Sequence, residues 1–461
     1  MLEQTLDLDA LVATVDNLLD SAVGENSSSE KTTLSEYLNE LQPFDLANVL
    51  NGLEDPKQLS FLTLLPAVSA AEVLSHLEYE QQYRLLDHVD ERVARAILAE
   101  MASDSLVDLL GAVHPLQANE ILKRLPPEDL DHIRQMMTYP PESAGGLMTV
   151  SYLSVRATWT AEQVISHFRK VGQTVEEAGY VYVIDHHGRL VGVASMREVI
   201  LAQPTTPVAE IMVTKTISIP VDSDQEEAAR LLSQYDFTAL PVTDRAGRMV
   251  GIITADDILD VVEEEATEDI QRLGGTSPFD SPYLKAPLQE LYRKRIGWLL
   301  VLLITGYLTG SIMSRFEHLL NEVIMLAFFI PLLIDAGGNA GSQASTLVIR
   351  AMALGEVDSQ HFLKVIWREA RVGILLGATL GIFAYARALL IGTPADLGLT
   401  VAISLSAIVL ISSTIGAVLP IIGQRFGLDP AVFSSPLITT ISDAVGLLIY
   451  FETARLLLGL S

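Results

Sequence analysis

The sequence lacks cysteine entirely, so disulfide bonds and thiolate metal sites are excluded. Its first thirty residues contain no lysine or arginine, and they therefore lack the basic n-region of a signal peptide. We expect the N-terminus to stay in the cytoplasm. Basic residues are scarce throughout, with 30 Lys and Arg against 58 Asp and Glu. This deficit disfavours nucleic acid as a partner, because phosphates are bound by lysine and arginine.

The acidity is confined to the first part of the chain. From Lys285 onward there are 12 basic and 11 acidic residues, a net charge of +1. Residues 1–284 hold the remaining 18 basic and 47 acidic residues, a net charge of −29. The sequence therefore predicts a strongly acidic soluble portion fused to an apolar membrane portion. The acidic surface either attracts cations or simply maintains solubility.

A weak internal repeat follows an acidic N-terminal segment, which we place at residues 1–33. VLNGL begins at Val49, and related pentapeptides begin at Val73, Ile97 and Ile121, 24 residues apart each time. A period of this length is typical of a helix–turn–helix unit that stacks on copies of itself. We predict an all-α domain of superhelical repeats over residues 34–139; the alternative is an ordinary helical bundle.

A clearer duplication occupies the next part of the chain. VYVIDHHGRLVGVASMREVI (181–200) aligns without gaps on LPVTDRAGRMVGIITADDIL (240–259), and each copy reads strand, turn, strand and helix start. With their preceding helices these copies resemble a tandem pair of CBS domains, an α/β unit that we place at residues 140–262. The resemblance implies an adenine nucleotide such as ATP, held by Tyr180, Arg197, Glu198 and Phe237. The alternative is a structural pair without nucleotide.

An acidic connecting segment and five apolar runs complete the chain. The segment is predicted to form a connecting, or plug, helix with its linker (263–290), followed by a membrane domain (291–461). The spans are expected at residues 296–314, 323–349, 370–391, 399–422 and 432–458. Most flanking basic residues fall on the side of the N-terminus. The positive-inside rule then predicts a multi-pass protein of the cell (inner) membrane, with a cytoplasmic N-terminus and an extracytoplasmic C-terminus.

Polar side chains interrupt the second and fifth spans. Asp443, Thr439 and Ser435 are four residues apart, so on a helix they share one stripe. Asn339 belongs to a polar, glycine-rich stretch of the second span. Carboxylate, hydroxyl, amide and carbonyl oxygens suit a hard cation, and Mg²⁺ is the one that tends to keep its waters. A pore is one interpretation of Asp443, and a buried structural acid is the other.

Two segments carry a more specific resemblance. PLLIDAGGNAGSQASTLVIRAMALGE (331–356) and GLDPAVFSSPLITTISDAVGLLIYFETARLL (427–457) resemble the signature segments of the MgtE family of magnesium channels. The likeness implies a homodimeric, Mg²⁺-selective channel whose pore is lined by the second and fifth spans of both subunits. It assigns the central pore carboxylate to Asp443, a carbonyl contact to Thr439 and the acid at the cytoplasmic mouth to Asp429.

The resemblance also implies gating by cytoplasmic Mg²⁺. Two copies of so acidic a portion repel each other, and bridging cations that favour the packed state would close the pore. The implied sensor acids are Glu100, Asp104, Asp224, Glu226, Asp236, Asp257, Asp260, Glu265, Glu268 and Asp269.

Two alternatives from other classes remain at this point. Asp335 and Asp443 lie on different spans and could form the dyad of an intramembrane aspartyl protease. Asp443 could instead be the protonation site of a proton-coupled divalent-cation exporter. We predict a channel or transporter and not an enzyme.

Overall fold

A computed structural model describes residues 8–22, 38, 41–172, 175, 177–279 and 283–459. The remainder of the predicted N-terminal segment, and residues 280–282 of the predicted linker, lie outside the described residues. The chain divides into two compact units, Met1–Val262 and Glu263–Ser461, and each is described by itself.

The first unit begins with short helices in a regular series. Their bounds are α1 (Leu8–Ala22), α2 (Pro43–Gly52), α3 (Asp55–Leu64), α4 (Ala67–Ser75), α5 (Tyr79–His88), α6 (Glu91–Glu100), α7 (Ser103–Ala112), α8 (Pro115–Arg124) and α9 (Pro127–Met136). From α2 onward they start twelve residues apart, so two helices make one 24-residue period. Val49, Val73, Ile97 and Ile121 recur at the same place in every second helix and are buried in a single apolar core.

The rest of the first unit contains two βαββα copies. Its elements are α10 (Ala144–Leu147), β1 (Tyr152–Val155), α11 (Ala161–Val171), β2 (Glu177–Ile184), β3 (Leu190–Ser195), α12 (Met196–Leu201), β4 (Ile219–Pro220), α13 (Gln225–Tyr235), β5 (Ala239–Thr243), β6 (Met249–Thr254) and α14 (Ala255–Leu273). The sheet orders are β1-β2-β3 and β4-β5-β6. In each sheet the first pair is parallel and the second pair is antiparallel.

The hairpin turns between the antiparallel strands have the chemistry that the duplicated sequence predicts. Gly188 and Gly247 have φ values of 79° and 75°, which favour glycine. The Asp185 carboxylate accepts hydrogen bonds from the backbone amides of His187 and Arg189, at 2.8 and 2.9 Å. Asp244 accepts equivalent bonds in the second copy. The two turns are therefore built alike, as expected of a duplication.

The second unit is helical. Its helices are α15 (Leu288–Arg315), α16 (Glu317–Glu322), α17 (Ile330–Ala353), α18 (Phe362–Leu390), α19 (Ala395–Arg425) and α20 (Ser435–Leu458). Among the described residues, five helices are long and apolar enough to cross a membrane, as predicted. The first and third helices begin about two turns earlier than expected, at Leu288 instead of 296 and at Phe362 instead of 370, because basic residues extend each helix beyond its apolar run. The predicted fold class, helical repeats with a CBS pair and a five-span helical domain, is confirmed.

Close backbone contacts set the packing of the membrane helices. A Cβ atom at Gly416 of α19 would lie 2.1 Å from the carbonyl oxygen of Gly341 in α17. A Cβ atom at Gly377 of α18 would lie 2.6 Å from the carbonyl oxygen of Ser406 in α19. Small residues let membrane helices approach this closely. Helix α19 consequently packs against α17, α18 and α20, and it forms the centre of the unit.

Candidate functional site

The polar stripe predicted on the fifth span is present on α20. Asp443 is half-buried and lies one turn after Thr439. The Thr439 hydroxyl donates to the Ser435 carbonyl at 2.9 Å and lies 3.3 Å from the Ser342 hydroxyl of α17. Gly338 makes this contact with α17 feasible, because a Cβ there would come within 2.8 Å of Thr439 Cγ2. The structure therefore brings the second and fifth spans together along the stripe.

A second polar stripe runs along α17. Asp335 and Asn339 are one turn apart, and both are exposed in the single chain. Gln343 and Thr346 continue the exposed face toward the end of the helix. Exposed carboxylate and amide groups in the middle of a membrane-spanning helix are costly against lipid, so this face requires water or protein.

Asp335 is also an electrostatic neighbour of Asp443. The negative charge of Asp335 acts on the Asp443 carboxylate, so two acids from different spans face a shared space. Asp335 was not among the predicted pore ligands. Its position one turn before Asn339 was the signal that could have included it.

Asp429 lies just before the fifth span and has two partners. One carboxylate oxygen accepts from the backbone amide of Ala431 at 2.8 Å. The other oxygen forms an ion pair with Arg272 of α14. Asp429 was predicted at the cytoplasmic mouth, and Arg272 was not predicted as its partner. The same guanidinium pairs with Glu268, one turn earlier on α14.

Two of the predicted sensor acids come together in the first unit. Burial, followed by the negative charge of Asp104, raises the pKa of Asp257 to about 7. The Thr254 hydroxyl donates a hydrogen bond to the Asp257 carboxylate. Asp104 is buried at the start of α7, whereas Glu100 is exposed at the end of α6. The helical repeat and the second CBS copy thus place two acids close to each other.

The other predicted acids of the CBS pair have local positions in or near α13 and α14. The Asp224 carboxylate accepts from the backbone amide of Glu226 at 2.9 Å and caps α13. Asp236 follows α13 with a φ of 52°, and Asp260 is exposed on α14. Among the residues that the structure describes, no group of three Asp, Glu or His side chains could hold a metal ion.

The connecting helix presents its acids along one face in the second unit. Glu265, Glu268 and Asp269 are spaced three and four residues apart. Burial and then the charge of Glu265 raise the pKa of Asp269, while the positive charge of Arg350 acts in the opposite direction. This face of α14 therefore combines three acids with Arg272, and the charge of Arg350 on α17 acts on one of the acids.

The predicted nucleotide residues surround the start of β2 and the end of α13. Tyr180 of β2 pairs in register with Ser195, whose hydroxyl accepts from the Arg197 backbone amide at 3.2 Å. The Glu198 carboxylate accepts from the Ser195 backbone amide at 3.4 Å, which completes a capping box. Phe237 stacks on Tyr235 at a ring distance of 5.5 Å.

The two CBS copies approach each other near these residues. A Cβ atom at Gly179, next to Tyr180, would lie 3.8 Å from the Thr238 hydroxyl, next to Phe237. Aromatic side chains from both copies therefore lie near one junction.

Five apolar helices with carboxylates on two facing spans define a membrane transporter for cations. The family profile described as "Divalent cation transporter" (MgtE) matches residues 330–453. The profile "MgtE intracellular N domain" matches residues 41–142, and the CBS profile matches residues 144–204 and 208–264. The chain belongs to the MgtE family of magnesium transporters. It is a Mg²⁺ channel or transporter and not an enzyme.

One curated relative is similar along nearly its whole length. The magnesium transporter MgtE of Thermus thermophilus is 43% identical over 92% of this chain and 95% of its own length. The crystal structure of the soluble part of a magnesium transporter is 28% identical, covers 56% of this chain and all of that one, and has a TM-score of 0.52. The cytosolic domain of the Mg²⁺ channel MgtE in complex with ATP is 42% identical over 53% of this chain and 98% of that one, with a TM-score of 0.49.

Proposed function

We propose that two copies of this chain form a Mg²⁺-selective pore in which Asp443 is the central ion ligand. One observation carries the proposal: Asp335 and Asn339 are exposed on a membrane-spanning face next to Asp443. Lipid would oppose this arrangement, whereas a second copy facing the same stripe would enclose a water-filled path. The repulsion among the acids would then be relieved by a divalent ion.

The donor set supports a hydrated hard cation. The available ligand atoms are all oxygens. They come from the Asp443 carboxylate, the Asn339 amide, and the carbonyl and hydroxyl of Thr439. Mg²⁺ dehydrates reluctantly and is usually bound by one or two carboxylates with several waters. A half-buried Asp443 with the exposed Asp335 as an electrostatic neighbour fits this mode of binding. Asp429 would supply the first carboxylate on the cytoplasmic side.

We further propose that cytoplasmic Mg²⁺ closes the pore by binding to the soluble acids. The pair of buried Asp104 and half-buried Asp257 supports this, because two neighbouring carboxylates resist joint ionisation unless a cation neutralises them. The remaining predicted sensor acids would join through packing against the second copy. Binding that favours only the packed state shifts the population toward it.

An adenine nucleotide at the CBS pair is a further part of the proposal. Tyr180 and Phe237 provide aromatic faces near the junction of the two copies. Arg197 is exposed at the start of α12, where it could pair with a phosphate. Glu198 lies beside it and already caps the helix, so it would contribute less than Arg197.

The orientation and the location of the chain follow from its basic residues. Arg293, Arg350, Lys364 and Arg425 fall on the side that we assign to the cytoplasm. We place the protein in the cell membrane, with the acidic portion inside and the C-terminus outside.

The decisive experiment is recording from excised inside-out membrane patches while Mg²⁺ is varied on the cytoplasmic face only. We expect Mg²⁺ current at low cytoplasmic Mg²⁺ and closure as the concentration reaches the millimolar range. A chain that carries no Mg²⁺ current under any condition would refute the pore. Current that persists unchanged at high cytoplasmic Mg²⁺ would refute the gating part alone. Current that requires a proton gradient would instead support exchange with protons.

A further inference from the structure

Arg272 is the single basic residue of α14, which contains eight acidic residues. It lies in the last turn of the helix, and its guanidinium pairs both with Glu268 and with Asp429. All three residues belong to the second unit. The only basic side chain of the connecting helix, Arg272, thus pairs with Asp429, the acid just before the fifth span.

The segment after Arg272 is fixed against the starts of two membrane helices. Gly275 has a φ of 74°, and a Cβ there would lie 2.7 Å from Trp298 Cδ1 and 3.3 Å from Pro436 Cγ. The Trp298 indole N–H donates to the Ser434 hydroxyl at 3.1 Å. The backbone amide of Ser277 donates to the Lys294 carbonyl at 3.0 Å. These contacts hold the end of α14 beside Asp429, so the ion pair is a consequence of packing and not of a long side chain reaching out.

Both oxygens of Asp429 are engaged in this arrangement. The Ala431 amide uses one, and Arg272 uses the other. Each carboxylate oxygen keeps a further lone pair, but a cation that binds there meets the positive charge of Arg272. A cation therefore binds Asp429 more tightly once the guanidinium has moved away. The pair can break, since the two side chains remain 32% and 34% exposed and water competes for both charges.

We propose that Arg272 is a tethered competitor for the entering cation and sets the affinity of Asp429 for Mg²⁺. This inference rests on the proposed function, which makes Asp429 the acid at the cytoplasmic mouth. A hydrated divalent ion displaces the guanidinium because it carries twice the charge, and Glu268 keeps a partner for Arg272 after displacement. Arginine stays protonated at all working pH values, so this competition depends on Mg²⁺ concentration and not on pH.

The test uses full-length protein in liposomes, with Mg²⁺ flux measured against Mg²⁺ concentration on the Asp429 side. Arg272→Gln should lower the half-saturating Mg²⁺ concentration by about three- to tenfold. Arg293→Gln removes the same charge from an exposed position on α15 and should leave the value unchanged. An unchanged value in Arg272→Gln would overturn the proposal.

A double-mutant cycle separates competition from a structural effect. In an Asp429→Asn background, Arg272→Gln should produce no further shift, because the shared carboxylate is gone. An equal shift in that background would show that Arg272 acts elsewhere and would overturn the proposal. If Asp429→Asn abolishes flux, the series Arg272→Lys, Arg272→Gln and Arg272→Glu decides. If Arg272 competes with Mg²⁺, the half-saturating Mg²⁺ concentration should fall as the side chain at position 272 changes from positive to neutral to negative. Equal values for the Gln and Glu variants would contradict competition.

The unmodified chain shows whether a negative result concerns the pore or only Arg272. If the unmodified chain carries no Mg²⁺, the pore itself is wrong. If it carries Mg²⁺ and the Arg272 variants match it, only the role of Arg272 is wrong.

Discussion

Residues 1–284 contain 47 acidic side chains, whereas the portion from Lys285 onward contains 11. In the first unit most acids are exposed, whereas Asp104 is buried and its neighbour Asp257 is half-buried. In the second unit Asp335, Asp443 and Asp429 each occupy a defined place beside a membrane helix. The contrast indicates two uses of the carboxylate. Under the proposed function, the soluble acids would act as a group that shares one effect, and each membrane acid would act at its own position.

The largest effect is expected from a single substitution in the membrane unit, which tests whether one membrane acid is essential by itself. Asp443→Ala should reduce Mg²⁺ flux by roughly 100-fold or more, because no other carboxylate of α20 lies on the stripe. Flux into proteoliposomes loaded with a Mg²⁺-sensitive dye measures the effect. Glu452→Gln on the same helix is the control, since Glu452 pairs with Arg455 away from the stripe. Normal flux in Asp443→Ala would remove Asp443 from the pore.

The corresponding test in the soluble portion needs several substitutions together. Neutral amides at Asp257, Asp260, Glu265 and Glu268 should raise the Mg²⁺ concentration that closes the channel by about tenfold or more. Each substitution alone should have a smaller effect if the acids act as a group. Patch recording with cytoplasmic Mg²⁺ varied provides the measurement.

Four exposed acids outside the sensor serve as the matched control. Glu72, Glu80, Glu162 and Glu210 are exposed in the first unit, and their replacement by glutamine also removes four negative charges. Closure should then occur at the usual concentration. If this control variant loses closure equally, the total charge governs gating and the assigned sensor positions do not.

A smaller effect, on local stability in the absence of metal, is expected from the Asp104–Asp257 pair. The folded pKa of Asp257 is about 7, against 3.8 as its ordinary value, so the folded state binds a proton more tightly than the unfolded state. The free energy of opening α7 should therefore fall as pH rises from about 4 to 7 and stay level above 7. The full shift corresponds to about 4 kcal/mol, but opening α7 removes the charge of Asp104 and only part of the burial of Asp257, so we expect a loss on the order of 2 kcal/mol across that window.

Hydrogen exchange of residues 103–112 in EDTA, measured in the full chain, tests this pH dependence. Asp257→Asn should make the protection of α7 nearly independent of pH, because the group no longer titrates. Added Mg²⁺ should restore protection at pH 8 in the unmodified chain. A pH dependence that survives in Asp257→Asn would assign it to another group.

The smallest expected effect concerns the CBS junction. Phe237→Ala should weaken the binding of ATP by about tenfold, because an aromatic face lost from a base is worth about 1–3 kcal/mol. Isothermal titration of the full chain with ATP measures it. Tyr83→Ala, in a helix of the repeat region, is the control and should bind ATP normally. Equal affinities in both variants would leave Phe237 outside the nucleotide site.

Much of the architecture could be predicted from the sequence because its signals are periodic. The 24-residue spacing of Val49, Val73 and their equivalents corresponds to helices that begin every twelve residues. The gapless duplication corresponds to two sheets with the same strand order. The stripe of Thr439 and Asp443 required only the helical repeat of α20.

The missing parts of the site depend on contacts between elements. Arg272 was overlooked because the sequence of α14 is dominated by acids, and spacing along one helix does not reveal which neighbouring segment it faces. The proximity of Asp335 to Asp443 likewise comes from the packing of α17 on α20. Neither the distance between two helices nor their rotation is encoded in a local pattern.

The contact between Gly341 and Gly416 has a mechanical consequence. Each helix occupies the space that a side chain of the other would need, so sliding by one residue would drive a side chain into a backbone. Helices α17 and α19 should therefore travel as one rigid lever whenever the path widens. The same constraint extends to α20, because a Cβ atom at Gly341 would also lie 2.9 Å from Ile438 Cγ2.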